Sequence, residues 1–124
     1  MATTRALIVG VSEYSKMGQK NLPFCKNDII AVERAFIQGM KVDPADIIVC
    51  GHTGKVAGND FVDALHTLSC MCNKDDTFLL YFSGHGGTIL GSHHLLLSDA
   101  QIKTKDLISY LEAIPSKNKI LFLD

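Results

Sequence analysis

The chain has 124 residues, 47% of them hydrophobic and 20% charged, which suits one domain with a packed core and is too short for two ordinary ones. Twelve basic against thirteen acidic residues leave a formal charge of −1 with no run of Lys or Arg, so nucleic-acid and anionic-membrane binding are excluded as expectations. The longest apolar runs, residues 6–11 and 78–82, are far too short to span a bilayer, and no leader-like segment with a cleavage site precedes Ser12.

Apolar strands alternate with helical patterns along the whole chain. Residues 6–11 form a continuous apolar run, as expected of a strand covered on both faces. After a polar loop, Cys25, Ile29, Val32 and Phe36 recur at helical spacing, with Gly39 suited to end that helix. Residues 47–50 are a second short strand, followed by a loop marked by Gly51, Gly54 and Gly58. Phe61, Leu65, Leu68 and Cys72 predict a second amphipathic helix, capped by Asn59 or Asp60. Residues 78–82 are the third strand and run directly into Ser83-Gly84-His85-Gly86-Gly87. A hairpin is expected next, turning at Gly91-Ser92. Leu107, Leu111 and Ile114 predict a third helix ended by Pro115, and residues 120–123 a last strand before Asp124. The pattern predicts an α/β sandwich on a mainly parallel sheet, whose chemistry collects beyond the carboxyl ends of the strands. His85 and Asp124 both fall there.

A strand-end imidazole flanked by glycines is suited to general acid or base work, because the backbone turns sharply and another group can approach. Its ordinary alternative is a loop histidine that bonds a neighbour. Tyr81-Phe82-Ser83-Gly84-His85-Gly86 resembles the histidine motif of caspase-like cysteine peptidases, closest to the metacaspase and prokaryotic caspase-homologue branch. Ala6-Leu7-Ile8-Val9-Gly10-Val11 is similar to that family's first strand, and Leu22 to Asp28 to the opening of its first helix. Leu95-Leu96-Leu97-Ser98-Asp99-Ala100 and Lys119-Ile120-Leu121-Phe122-Leu123-Asp124 resemble the segment after the histidine hairpin and the strand leading to the nucleophile. The resemblance covers residues 1–124 and implies a three-layer caspase-like sandwich, incomplete at its C-terminus, with strand order second, first, third, fourth.

In that family the last strand continues as Asp, one small residue, then the nucleophilic Cys. The resemblance therefore implies a thiol just past Asp124, and the chain as it stands is expected to be inactive. Cys50 is no substitute: two strands from His85 is about 10 Å, against about 3 Å for a hydrogen bond. Cys25 opens a helix, whose dipole could lower its pKa, but the resemblance places it in a pocket wall. Cys70 and Cys72, late on the second helix, are expected to be core and surface thiols, all four cysteines staying reduced in the predicted cytoplasm.

The resemblance implies catalysis by His85, with the Gly86 N–H and that of the nucleophile as oxyanion donors. It also implies a substrate pocket of Cys25, Asp28, Ser83 and Asp124. Two acids at one pocket favour Arg or Lys, although Asp28 alone could be a helix first-turn acid. Partners are then a protein or peptide substrate and the remaining C-terminal part of the domain. No cofactor is expected. Many metacaspases need calcium, but Asp99 and Asp106 offer too few oxygens for a site. His93 and His94, adjacent on a strand, point to opposite faces and make zinc a poor fit. The competing class is a non-catalytic caspase-like scaffold, separated from the peptidase by whether a Cys stands two places after Asp124. A nucleotide-binding domain ranks below both, since no Gly-rich phosphate loop follows the first strand. Residues 120–123 should also present an apolar sheet edge.

Overall fold

The computed structural model describes residues 2–124. In chain order the elements are β1 (Thr4–Gly10), α1 (Cys25–Gln38), β2 (Ile47–Cys50), α2 (Gly58–Met71), β3 (Thr77–Ser83), β4 (Gly86–Ile89), β5 (Ser92–Leu96), β6 (Gln101–Lys103), α3 (Thr104–Ala113) and β7 (Asn118–Leu123). The main sheet is parallel throughout, in the order β2-β1-β3-β7. A small antiparallel sheet, β4-β5-β6, follows the histidine loop.

Period-two alternation divides the continuous apolar runs between two cores. Ala6 and Ile8 of β1 and Leu79 of β3 face α1, packing with Ile29 and Phe36. Leu7, Val9, Phe78, Leu80 and Phe82 face the other way, against Phe61, Leu65 and Leu68 of α2 and Leu107 and Leu111 of α3. Helices thus cover both faces of the sheet, and most residues of the central strands β1 and β3 are buried. The chain moves outward from β1 to β2, then returns past β1 to β3. The carboxyl ends of β1 and β3 therefore flank the topological switch point, where the crevice of an open α/β sheet forms.

At the opposite end of the sheet, Asp76 ties the strand starts together. Its buried carboxylate accepts the N–H groups of Thr3 at 2.9 Å and Asn73 at 2.8 Å and lies 3.5 Å from Arg5 Nε. Its carbonyl accepts the N–H groups of Lys117 and Asn118. Those backbone donors, led by Asn73, hold its carboxyl below the usual aspartate range, with Arg5 adding to the effect. Arg5 also pairs with Asp46.

Four local features depart from the sequence expectation. The hairpin turns at Leu90-Gly91, since Ile89 pairs with Ser92; both residues have positive φ, 50° and 81°, as a type I′ turn requires. The N-terminus of α2 is capped neither by Asn59 nor by Asp60: Asp99, from the loop after β5, accepts the Gly58 N–H at 2.8 Å. Gly39 follows α1 in right-handed backbone (φ −82°), and the left-handed residue is Lys41 (φ 59°). Finally, β6 was not anticipated, because its three residues carry too short a pattern to read.

Candidate active site

The site is built on the end of β3. Val11 N–H donates to the Ser83 carbonyl at 2.9 Å on one side. On the other, Asp124 N–H donates to the Phe82 carbonyl at 2.8 Å, and Gly84 N–H to the Asp124 carbonyl at 3.3 Å. The ends of β1, β3 and β7 are thereby held side by side, and the chain after β3 leaves through Gly84. Glycine is required there by close approach: a Cβ on Gly84 would occupy the position of the Tyr14 hydroxyl and press on the Phe82 ring.

His85 is half-buried and fixed at two points. Its N–H donates to the Tyr14 hydroxyl at 2.7 Å, and the two rings stand 4.5 Å apart between centroids, tilted by 60°. Its Nε2 lies 2.6 Å from the Lys20 carbonyl oxygen. A carbonyl only accepts, so Nε2 carries the proton in this bond and Nδ1 is left unprotonated in the neutral ring. Tyr14 is fully buried, and burial pushes its hydroxyl up to about 12, so it remains a neutral phenol at physiological pH. The ring is thus held between the Tyr14 side chain and the Lys20 backbone, neither turned into the core nor free. Its loop leaves β3 beside the residue that ends β7.

Gly86 pairs with Leu95, while Leu96 N–H donates to the His85 carbonyl at 3.0 Å. That alternation makes Gly86–Leu95 a non-hydrogen-bonded pair, so the exposed Gly86 N–H is not consumed by β5. An open hollow of about 250 Å³ is lined by Gly84, Gly86, His93, Leu123 and Asp124, among others. His93 itself is anchored through Nδ1 to the Thr104 hydroxyl, whereas His94 is buried and bonds the Ser92 carbonyl.

On the α1 side of the sheet, four of the residues singled out in the sequence gather around β3. Ser83 Oγ lies 3.1 Å from Asp28 Oδ2 and 3.3 Å from Cys25 Sγ, joining β3 to the first turn of α1 across the switch point. A hydroxyl has one proton to give, and the carboxylate is the stronger acceptor. Gly10 permits this approach, since a Cβ there would strike Ile29 and the Cys25 carbonyl. Burial pushes the Cys25 thiol up, and the charges of Asp28 and Asp124 add to it against the Ser83 hydroxyl. The Cys25 thiol is therefore shifted upward, opposite to the lowering expected from its place at a helix start, with desolvation the leading cause. Asp124 is exposed at the end of β7 and accepts the Tyr81 hydroxyl at 3.0 Å.

Sequence reasoning missed Tyr14 and Tyr81. Tyr81 was discoverable, because it stands two residues before Ser83 and shares its face of the strand. Tyr14 left no local signal, since its partner is 71 positions away.

The remaining thiols stand apart from the site. Cys50 ends β2, separated from β3 by β1, and burial pushes it up to about 11, with Asp60 adding to the shift. Cys72 is buried, while Cys70 is exposed with His66 Nε2 at 3.6 Å. Among the described residues, no three His, Cys, Asp or Glu side chains converge as a metal site. None of the described helices is long and apolar enough to cross a membrane.

A twisted parallel sheet of order β2-β1-β3-β7, clad by helices on both faces and carrying a strand-end histidine beside a small hairpin sheet, is the α/β architecture of caspase-like proteins. The solved structures agree on the fold. The Drosophila initiator caspase Dronc superposes with a TM-score of 0.77 at 15% identity, over 97% of this chain and 47% of that chain. A protein from Geobacter sulfurreducens gives a TM-score of 0.74 at 19% identity, over 98% of this chain and 50% of that one. The chain thus spans about half the length of either structure. No curated protein sequence matches it. The family model of the caspase domain matches residues 3–124, and the chain belongs to that family of cysteine peptidases.

Proposed function

We propose that this chain is the histidine-bearing part of a cysteine endopeptidase that cleaves after Arg or Lys, its nucleophilic thiol carried two residues beyond Asp124. The observation that carries this reading is the shared rim of β3 and β7. The His85 loop and Asp124 leave adjacent strands that stay hydrogen-bonded to their last residues, so a thiol just past Asp124 would stand beside the imidazole.

The chemistry follows from the fixed ring. With Nε2–H committed to the Lys20 carbonyl, Nδ1 is the atom left to take the thiol proton. The thiolate sulfur adds to the scissile carbonyl carbon, and the carbonyl π pair moves onto oxygen, where the Gly86 N–H donates. Collapse of that intermediate breaks the C–N bond as His85 returns its proton to the leaving amine. Water then hydrolyses the acyl-enzyme. The Lys20 carbonyl and the Tyr14 ring hold the imidazole through both proton transfers, so its orientation is not rebuilt at each step.

Asp28 and Asp124 supply the selectivity. Both act electrostatically on Cys25 and on Tyr81, which brings their negative charges to the same end of β3. Neither is ion-paired to a Lys or Arg among the described residues. A guanidinium would satisfy both acids, with two-pronged geometry that an ammonium lacks.

The remainder of the domain is proposed to continue the sheet from β7. That strand is an edge, with Ile120, Phe122 and Leu123 each more than 40% exposed, and an apolar hollow of about 280 Å³ runs along it past Ile108 and Leu111. The test is to express the full-length protein and assay fluorogenic peptides ending in Arg, Lys or Asp. Cleavage after Arg and Lys, lost in His85→Ala by about a thousandfold or more, is the expected result. A preference for Asp overturns the pocket assignment.

A further inference from the structure

Resting on the basic-residue reading above, we infer that Tyr81 is a specificity-determining positioning residue, its hydroxyl holding the Asp124 carboxylate as the Ser83 hydroxyl holds Asp28. The two hydroxyls come from the same face of β3, two residues apart, so a single strand aims both acids. Tyr81 donates to Asp124 Oδ2 at 3.0 Å and Ser83 to Asp28 Oδ2 at 3.1 Å. Each bond occupies one carboxylate oxygen and leaves the other for a ligand.

Tyr81 is suited to this role because it cannot become a competing charge. Burial first, and then its bond to Asp124, push its hydroxyl up to about 12, so it stays a donor across the physiological range. Its ring is anchored against the core cluster that contains Ala6, Ile8 and Leu79. It therefore works as a fixed post, whereas Asp124, exposed at a strand end, has no other side-chain donor within hydrogen-bond reach among the described residues.

The consequence is selective. A guanidinium is planar and needs carboxylates held at set angles, while an ammonium tolerates any orientation. Loss of the Tyr81 hydroxyl should penalise Arg more than Lys.

The experiment uses the full-length protein, wild type and Tyr81→Phe, which keeps the ring and removes only the donor. Kinetics on peptides ending in Arg and in Lys are combined with inhibition by agmatine, a guanidinium probe that reports binding without turnover. Tyr81→Phe should raise KM for the Arg peptide and Ki for agmatine by about five- to tenfold, the size of one ordinary hydrogen bond lost. It should leave kcat within about twofold, and the Arg-over-Lys preference should fall by a similar factor. Unchanged KM and Arg-over-Lys ratio would overturn the assignment. So would an equal loss on both substrates carried in kcat, the mark of a merely structural residue. A wild-type enzyme that cuts after neither Arg nor Lys sinks the underlying reading, and this inference with it.

Discussion

Tyr14→Phe is the most direct test of how His85 is held. The ring stays and no cavity opens; only the hydroxyl that accepts the His85 N–H at 2.7 Å is removed. The acceptor is fully buried, so water cannot readily replace it, and the N–H is left without a partner. Such an orphaned donor costs about 1–3 kcal/mol. For a domain of this size each kcal/mol moves the midpoint by about 4 °C, so Tm should fall by about 4–12 °C. Urea denaturation would give the free energy, and the His85 amide should lose its hydrogen-exchange protection. Gly84→Ala pushes on the same hydroxyl and also crowds the Phe82 ring at 3.2 Å, so it should cost at least as much. Because both changes break one bond, the double variant should be destabilised by less than the sum of the singles. A Tyr14→Phe effect below about 0.5 kcal/mol with the His85 amide still protected would refute the reasoning.

Three further outcomes follow from the structure. Asp76 has a folded-state pKa below its ordinary value, so its stabilisation is fully present above about pH 4 and is lost as pH falls through the folded pKa; Asp76→Asn should flatten acid unfolding in that window, and an unchanged acid limb would reject the role. Of the four thiols, Cys70 alone is exposed and should react first with Ellman's reagent at pH 8, while Cys25, Cys72 and Cys50, pushed up by burial, lag; equal rates in the folded chain would contradict the burial pattern. Leu90 sits at φ 50° and is fully exposed, so Leu90→Asn should raise stability by about 0.5–1 kcal/mol in thermal unfolding, and a loss would mean that the side chain makes contacts in solution.

Much of the architecture was legible because the sheet is buried on both faces. Continuous apolar runs at residues 6–11 and 78–82 can be satisfied only by strands covered on both sides, and helical spacing at Cys25, Ile29 and Phe36 says what covers one of them. The strand-end position of His85 and the opening of α1 at Cys25 and Asp28 follow from the same periodicities. Where local preferences compete, the sequence was ambiguous by a residue or more. Gly91-Ser92 and Leu90-Gly91 both offer a turn, and only pairing with β5 chooses between them. Asn59 and Asp60 are good caps by type, yet Asp99 reaches the Gly58 N–H first.

The sequence by itself determined where His85, Cys25, Asp28, Ser83 and Asp124 fall on strands, helices and loops, because residue type and period-two or 3.6-residue spacing are local properties. Only the tertiary structure decided how they are held. The Tyr14 hydroxyl and Lys20 carbonyl that grip His85 lie 71 and 65 positions away, the Tyr81–Asp124 bond spans 43, and the rise of the Cys25 thiol comes from packing beneath β3. Hydrogen bonds reach only about 3 Å, so contacts between segments that distant in the chain exist only once the sheet has set its strand order and register.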